Sequence, residues 1–464
     1  PGRHIPIQIQ QLTGITEKEV SRAPRFTQVI QEVDRFIGRW PVVGHNVAFD
    51  LGFLRSHDLP LSNPAVDTFA IASIMLPHAA RYSLSKLGEM FDLPTLGTHR
   101  ALDDAIAAKD LFTALLEHAS ELPLAVLQEI NRLAGPVDWP LKAVFRDVER
   151  GQAHSAFRGA IGQQLAAQLS RREDALGPLF STEQDEEEEL VPAARPKAVD
   201  VDNLAAMLEE DGLFAQRFPG FEHRPQQVEM LTAVATALND KQHLLVEAGT
   251  GTGKSVAYLL PALAFAQLNG ERVVISTNTI NLQDQLFLKD IPDLQELLPF
   301  EFRAVVLKGR SNYLCQRRLE ALRRMGVSSA QEMQMLAKVM VWVPSTQTGQ
   351  RGELFMPSPI EQVLWGKVSA QSETCTLDRC RFRERGSCFF YRARHAAENA
   401  HLIIVNHALL LSDVAVENRV LPEYRYLIVD EAHHLEDNVT RQLSFHADQR
   451  VVERVLNELA RPVG

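Results

Sequence analysis

The chain has 464 residues, of which 45% are hydrophobic and 23% are charged, a composition typical of a globular protein long enough for about three domains. No apolar run reaches the ~18 residues that a membrane span needs, and the printed sequence has no signal-peptide pattern. We therefore expect a cytoplasmic protein without a membrane partner. The formal net charge of −11 excludes a uniformly basic coat for nucleic acid, although a local basic groove remains compatible with it.

Residues 1–120 alternate short apolar runs with helical ones, and carboxylates and a histidine recur among them. Asp50 lies in the segment GHNVAFDLGFL, and His99 follows it 49 residues later, shortly before Asp104. Such a set could hold a divalent metal, but Asp104 could equally complement the dipole of the helix that begins at Ala101. Apolar periodicity predicts one strand and two helices here: Pro41–Gly44, Ser83–Phe91 and Ala101–Leu116.

Residues 121–202 have weaker periodicity and are predicted to form a helical and acidic linker. Glu183–Glu189 is nearly all acidic, a pattern typical of a solvated connection between domains. An acidic tail that mimics DNA is the alternative.

The segment LLVEAGTGTGKS, from Leu244 to Ser255, has the pattern of a phosphate-binding loop. Leu244–Val246 is predicted to be a buried strand, and Val256–Leu268 a helix whose positive end faces phosphate oxygens. Lys254 supplies a charge for the β- and γ-phosphates, and the Ser255 hydroxyl can bind Mg²⁺. The predicted nucleotide-binding residues of the loop are Ala248, which replaces the usual first glycine, Gly249, Thr250, Gly251, Thr252, Gly253, Lys254 and Ser255.

Arg224 and Gln227 lie in the segment HRPQQVEM, shortly before this loop. In helicases a glutamine at this place reads the adenine edge, so both residues are further candidates for nucleotide binding. The alternative is an ordinary helix start with Pro225 in its first turn.

Nearly continuous apolar runs after the loop predict a parallel sheet that is covered on both faces, with strands at Val273–Ser276, Ala304–Leu307, Leu402–Val405 and Tyr426–Val429. The last run ends in Asp430 and Glu431, the first residues of the segment DEAH. An aspartate at the carboxyl end of a buried strand can hold Mg²⁺ opposite the phosphate loop, and Glu431 can orient and deprotonate the attacking water.

All four cysteines lie between positions 315 and 388: Cys315, Cys375, Cys380 and Cys388. Their spacing lacks two compact C-x2-C pairs and leaves zinc and a [4Fe–4S] cluster both open. Arginines crowd the same region and are interleaved with aromatic residues, a mixture that could follow a DNA backbone while stacking bases. A solvated charged face is the alternative. The aromatic residues are Tyr313, Phe382, Phe389, Phe390 and Tyr391.

The segments GHNVAFDLGFL, VDTFAIASIMLP, YSLSKL and HRALDDA resemble the DEDDh family of 3′ to 5′ exonucleases, which have an RNase H-like fold. The resemblance implies that Asp50 and Asp104 bind the divalent metals and that His99 is the general base. The family's other two carboxylates have no counterpart in the sequence. The chain as printed is therefore expected to be a poor nuclease.

The segments HRPQQVEM, EAGTGTGKS, KGRSNYLC, IIVNHALLLSD and VDEAHHLED, with the three later cysteines, resemble the DinG branch of the XPD-like superfamily 2 helicases. This implies a [4Fe–4S] cluster on the four cysteines and ATP-driven 5′ to 3′ movement on single-stranded DNA, with forked DNA and R-loops as substrates. The family's second RecA-like domain is absent after DEAH, so the chain looks truncated at both ends and is expected to hydrolyse little ATP.

These observations predict an α/β protein: a partial exonuclease-like domain (1–120), a linker (121–202) and a RecA-like ATPase domain (203–464) with a cysteine-bearing insertion at about 309–400. We expect a monomeric ATP-dependent DNA helicase. The alternatives are a single-strand exonuclease regulated by an ATP-binding domain and a redox-sensing DNA-binding protein.

Overall fold

The computed structural model describes residues 4–94, 100–156, 189–249, 251–371, 375, 380–415 and 420–443, together with 449, 452, 453 and 456. The described strands, numbered in chain order, are β1 (Val42–Gly44), β2 (Ala65–Asp67), β3 (Val273–Thr277), β4 (Ala304–Val306), β5 (Leu402–Asn406) and β6 (Tyr426–Val429).

The described α-helices before the phosphate loop are α1 (Ile7–Thr13), α2 (Glu17–Arg22), α3 (Phe26–Ile37), α4 (Val47–Ser56), α5 (Thr68–Met75), α6 (Leu84–Met90), α7 (Ala101–Ala119), α8 (Leu124–Ala134), α9 (Lys142–Ala156), α10 (Val201–Ala206), α11 (Leu213–Arg217) and α12 (Pro225–Asp240). Those after it are α13 (Lys254–Asn269), α14 (Ile280–Gln285), α15 (Ile291–Leu297), α16 (Gln316–Met325), α17 (Ala330–Trp342), α18 (Pro359–Trp365), α19 (Arg381–Glu384), α20 (Phe389–Glu398), α21 (His407–Ala415) and α22 (Leu435–Leu443). Among the described helices, none is both long enough and apolar enough to span a bilayer.

The chain divides into two compact units, which are described separately. One unit comprises Pro1–Thr182 and Ser311–Phe389, and the other comprises Glu183–Arg310 and Phe390–Gly464. Most of the cysteine-bearing insertion thus belongs to the same unit as the N-terminal region. The domain limits predicted from the sequence stay predictions.

The second unit is built on a four-stranded parallel sheet with the order β4-β5-β3-β6. Alternate residues of a strand face opposite sides of the sheet, and here Val273 and Ile275 enter one apolar cluster while Val274 enters another. Both faces are therefore covered. The predicted α/β class is confirmed, and the four predicted strands are present within one residue at each end.

The strand predicted at Leu244–Val246 was wrong, because these residues form no strand in the described part of the chain. Leu245 is 93% exposed. An apolar run is buried as a strand only where a neighbour accepts its backbone hydrogen bonds. Here β6 pairs with β3 and forms the sheet edge, and Leu427 on it stays 44% exposed.

The first unit contains a short parallel pair, β1 and β2, in which Val43 is opposite Val66. Helix α4 packs against both strands, and α7 packs against β1 and α5. Helix α5 is apolar almost throughout and buries Ile71, Ile74 and Met75. In the insertion, α17 packs against α5 and α8.

Candidate functional site

The phosphate loop turns at two glycines whose backbone lies in the left-handed region. Gly251 has φ of +81° and Gly253 has φ of +76°. A Cβ atom at Gly253 would lie 2.3 Å from the side-chain nitrogen of Gln227. A side chain at this position would therefore meet both backbone strain and a clash with the preceding helix.

Two side chains upstream of the loop hold its carbonyl groups in place. Arg224 donates from Nη1 to the carbonyl oxygen of Gly251 at 2.7 Å, and Gln227 donates from Nε2 to that of Gly253 at 2.9 Å. Gln227 is buried in the first turn of α12, which begins with Pro225 as the sequence suggested. The structure thus brings both predicted residues to the loop, where they bind its backbone.

The loop also makes contacts within itself. The Thr252 hydroxyl donates to the Gly249 carbonyl oxygen at 3.0 Å, and Lys254 Nζ donates to that of Ala248 at 3.3 Å. Thr250 lies outside the described residues.

Lys254, at the start of α13, lies close to the acidic end of β6. Its Nζ is 3.8 Å from Oε1 of Glu431. The backbone N–H of Asp430 donates to the Ser276 carbonyl oxygen at 2.8 Å. Oδ1 of Asp430 accepts from the Glu431 N–H at 3.0 Å. Glu431 has φ of +54°, so its backbone turns sharply after the strand. The predicted lysine and carboxylates therefore meet in one place.

Tyr258 connects Asp430 with Ser255, a contact that the sequence analysis did not predict. Its hydroxyl donates to Oδ2 of Asp430 at 3.1 Å and is also hydrogen-bonded to the Ser255 side chain. Burial raises the pKa of Tyr258 well above its usual value, and the nearby carboxylate of Asp430 raises it further. Tyr258 therefore stays a neutral donor that fixes one oxygen of the carboxylate.

His407, at the start of α21, lies beneath the same turn. It is fully buried, and its Nδ1 is 2.8 Å from the Ser276 hydroxyl. Burial lowers the pKa of His407, although the backbone of Glu431 and the charge of Asp430 oppose this effect. A neutral histidine thus supports the strand end from which the two carboxylates project.

Among the described residues, one group of three or more histidine, cysteine or acidic side chains has its ligand atoms within 4.8 Å of one another: Glu431, His433 and His434. Nε2 of His433 is 3.4 Å from Oε2 of Glu431. Neither the acidic residues of the exonuclease-like region nor the cysteines form such a group in the described residues.

In the exonuclease-like region, Asp50 lies on α4 and Asp104 in the first turn of α7, and both are exposed. Both helices pack against β1. His45 is held by Thr68 Oγ1 at 2.9 Å from its Nδ1 and by the Tyr82 carbonyl oxygen at 2.8 Å from its Nε2. Burial lowers the pKa of His45, which fits a structural residue. The predicted general base, His99, lies outside the described residues.

The cysteines are free thiols, and each is partly exposed. Cys315 precedes α16, Cys380 precedes α19 and Cys388 precedes α20. Burial raises the pKa of the Cys315 thiol, and the nearby Cys380 thiol adds to this effect. Gln316 donates its side-chain amide to the Ser387 carbonyl oxygen, which ties the segments of Cys315 and Cys388 together. A cation bound here would offset the charge of several thiolates.

The aromatic residues near the cysteines contribute to the core, so their predicted role as a base-stacking surface was wrong for four of them: Tyr313, Phe382, Phe389 and Phe390 are each buried. Apolar surface of this size gains more from burial than from exposure to DNA. Several arginines are also engaged within the protein. Arg318 donates to the carbonyl oxygens of Gly366 and Lys367.

Known protein families match segments in both halves of the chain. Residues 1–112 match the Exonuclease family, residues 224–324 match the DEAD/DEAH box helicase family, and residues 279–452 match the DEAD_2 family.

Curated relatives match over nearly the whole chain. A Bacillus subtilis (strain 168) protein named "3'-5' exonuclease DinG" is 30% identical over 462 residues, which are 96% of this chain and 46% of that protein. A Staphylococcus aureus (strain USA300) protein of the same name is 29% identical over 452 residues, which are 95% of this chain and 47% of that protein. The chain thus spans about half the length of the curated relatives it matches.

Proposed function

Since this chain belongs to the DinG family, with an exonuclease domain ahead of its helicase domains, we propose that the intact protein is an ATP-dependent DNA helicase. It moves 5′ to 3′ on single-stranded DNA and opens forked duplexes or R-loops during repair or replication. It acts as a cytoplasmic monomer.

One observation carries this proposal: Lys254, Asp430 and Glu431 converge, although about 175 residues separate the lysine from the carboxylates. Lys254 would bind the phosphates of ATP, and Ser255 and Asp430 would hold Mg²⁺. This donor set fits, because hydroxyl and carboxylate oxygens are the ligands that Mg²⁺ prefers. Mg²⁺, when bound, neutralises charge on the transferring phosphoryl group. Glu431 would orient the attacking water and accept its proton.

The cysteine site is proposed to hold a [4Fe–4S] cluster on Cys315, Cys375, Cys380 and Cys388. Four free thiols in one unit, with Cys315 and Cys380 close enough to affect each other's charge, fit such a cluster. Zinc is the alternative metal for the same thiolate ligands. Iron and acid-labile sulfide analysis of protein purified without air separates the two.

A second candidate function is 3′ to 5′ degradation of single-stranded DNA, controlled by the ATP-binding domain. The match of residues 1–112 to the Exonuclease family and the printed name of the relatives favour it. In this proposal Asp50 and Asp104 bind the divalent metal ions and His99 activates the attacking water.

The deciding experiment is strand separation by the full-length gene product on a 5′-tailed duplex with ATP and Mg²⁺, with strand lengths read in the same lanes. Displaced strands of full length are expected, and Lys254→Ala should stop the displacement. Shortened strands without ATP-dependent displacement would instead establish the nuclease as the main activity. The third hypothesis is a redox-sensing DNA-binding protein. It predicts that DNA affinity changes with the oxidation state of the cysteine site and is unchanged by Lys254→Ala.

A further inference from the structure

The exonuclease-like region packs against the cysteine-bearing insertion within one compact unit. The insertion side of this interface is formed by α16, α17 and the segment 351–357, which we call the insertion face. Helix α17 is buried along nearly its whole length, with Met333, Leu336 and Met340 each at most 1% exposed. A helix buried on nearly every side needs neighbours that cover it, and α5 and α8 are two of those neighbours.

Gln334 bonds at both ends of its amide, to Ala70 of the exonuclease-like region and to Trp139 of the predicted linker. Its Nε2 donates to the Ala70 carbonyl oxygen at 2.9 Å, and its Oε1 accepts from the Trp139 indole N–H at 3.0 Å. These bonds satisfy buried polar groups on both sides, so separation of the two surfaces would leave several of them unpaired.

An aromatic contact lies at one side of the insertion face. The Phe355 ring stacks on Tyr82 with 4.3 Å between centroids, and the Phe355 N–H donates to the Pro77 carbonyl oxygen at 3.1 Å. Burial raises the pKa of Tyr82 to about 12, as expected for a ring held inside an apolar contact.

A charged contact joins α16 of the insertion face to α8, which lies in the predicted linker. Arg323 donates from Nε to Oε1 of Glu129 at 2.7 Å, and Arg132 donates to the Arg323 carbonyl oxygen at 3.0 Å. The side chains of Glu129 and Arg323 are only 12% and 14% exposed. Burial raises the pKa of Glu129, but the hydrogen bonds from Arg132 and Arg323 outweigh it, and the net pKa lies below its ordinary value. The contact is therefore an ionised, largely desolvated pair.

The same helix connects this pair with the cysteine site. Cys315 is the residue before α16, and Arg323 lies in the last turn of α16, about 12 Å further along the axis at 1.5 Å per residue. The N–H of Cys315 donates to the Val368 carbonyl oxygen, and Lys367 beside it forms a 2.6 Å ion pair with Glu332 of α17. Cys315 is thus connected to both helices of the insertion face, directly to α16 and through the segment of Lys367 and Val368 to α17.

From these contacts we infer that the exonuclease-like domain and the adjoining helix α8 of the predicted linker are docked on the insertion face. We infer further that the cysteine site, through α16, controls how firmly they are held. This goes beyond the proposed helicase function, because it concerns the attachment of the nuclease half and holds whether iron–sulfur or zinc occupies the thiolates.

Hydrogen exchange of the full-length gene product, purified without air and measured without nucleotide or DNA, tests this inference. Cys315→Ser should speed exchange in α5 and α8, which contain no cysteine. Arg323→Ala should speed it by on the order of tenfold or more, as loss of one partner from a largely buried pair requires. Arg324→Ala is the matched control, since Arg324 is the next residue of the same turn and its side chain is 78% exposed.

The double variant Cys315→Ser with Arg323→Ala decides whether α16 carries the coupling. Its exchange in α8 should not exceed that of Arg323→Ala alone, because the connection is already broken. The inference would be overturned if exchange in α8 of Cys315→Ser stays at the wild-type rate. It would also be overturned if the two effects on the exchange rate multiply in the double variant. If Cys315→Ser does not fold, Cys388→Ser makes the same test from the far side of the Gln316 contact.

Discussion

The nucleotide site and the exonuclease-like site present their carboxylates in different ways. Asp430 is partly buried, with one oxygen fixed by Tyr258 and the other by the Glu431 N–H. Asp50 and Asp104 are exposed on helix surfaces. The first site is oriented by distant parts of its own unit before any ligand arrives, whereas the second offers ligands whose geometry a metal ion would have to complete. Substitutions of the residues that hold the carboxylates should therefore matter at the first site. At the second site, substitutions of the metal-binding carboxylates themselves should matter.

The largest expected effect is that of Lys254→Ala on ATP hydrolysis. Loss of the charge beside the phosphates should lower the steady-state rate by ~10²-fold or more, because stabilisation of transition-state charge is lost. Lys289→Ala, an exposed lysine of the same unit, should leave the rate unchanged. Equal losses in both variants would mean that the loop does not bind phosphate.

At the exonuclease-like site, Asp104→Ala in the full-length protein should reduce metal-dependent degradation of single-stranded DNA by at least ~100-fold. Even residues that merely support a metal ligand cost up to that much. Glu117→Ala removes an exposed carboxylate from the same helix and should leave degradation intact. ATP hydrolysis should be unaffected by either change, and a parallel loss would contradict the separation of the two sites.

Tyr258→Phe sharpens the contrast, because it removes the hydrogen bond to Asp430 and leaves the predicted Mg²⁺ ligands in place. A hydrogen bond to a charged group contributes about 1.5–3 kcal/mol, so kcat/KM for ATP should fall by about tenfold or more. Tyr424→Phe is the control, since it is another partly buried tyrosine in the same unit. A Tyr258→Phe enzyme with wild-type dependence on Mg²⁺ and ATP would show that Asp430 needs no such support.

The smallest expected effect concerns pH and the sheet of the second unit. Burial and then the charge of Arg303 lower the pKa of His401 to about 4, and its Nδ1 accepts from the Arg303 N–H. The folded state thus takes up a proton less readily than the unfolded chain. Stability should be fully present above pH ~6.5 and fall as the pH drops towards 4.

Thermal unfolding measured between pH 7 and 5 checks this. The midpoint of the wild type should fall by a few degrees more than that of His401→Gln, which cannot be protonated in this range. Replacement of the exposed His243 by glutamine should leave the pH dependence of the wild type in place.

The strands of the central sheet could be predicted because their side chains report burial directly. Val273–Thr277 is buried at every position, and a nearly continuous β-branched run has few other stable environments. The run Leu244–Val246 is also apolar but is exposed, since pairing with a neighbour is a tertiary property that a local pattern does not contain.

The residues that support the candidate site could not be predicted for the same reason. Tyr258 lies 172 positions from Asp430, and Ser276 lies 131 positions from His407. In the sequence, Tyr258 has the pattern of one more core residue of an apolar helix. His407 lies in a family segment for which the sequence analysis predicts no role. The glycines, Lys254 and the DEAH carboxylates were identifiable because phosphate chemistry fixes both their types and their spacing.

In its predicted role at the adenine edge, Gln227 would link base recognition to the shape of the phosphate loop. Its single amide nitrogen already donates to the Gly253 carbonyl oxygen. The amide keeps a second N–H and its carbonyl oxygen, so if a purine engages these groups, one side chain holds both the base and the loop. Selectivity among nucleoside triphosphates then becomes tied to loop conformation. Evolution or design that alters the preferred base would then have to alter the phosphate grip at the same time, since the two share one side chain.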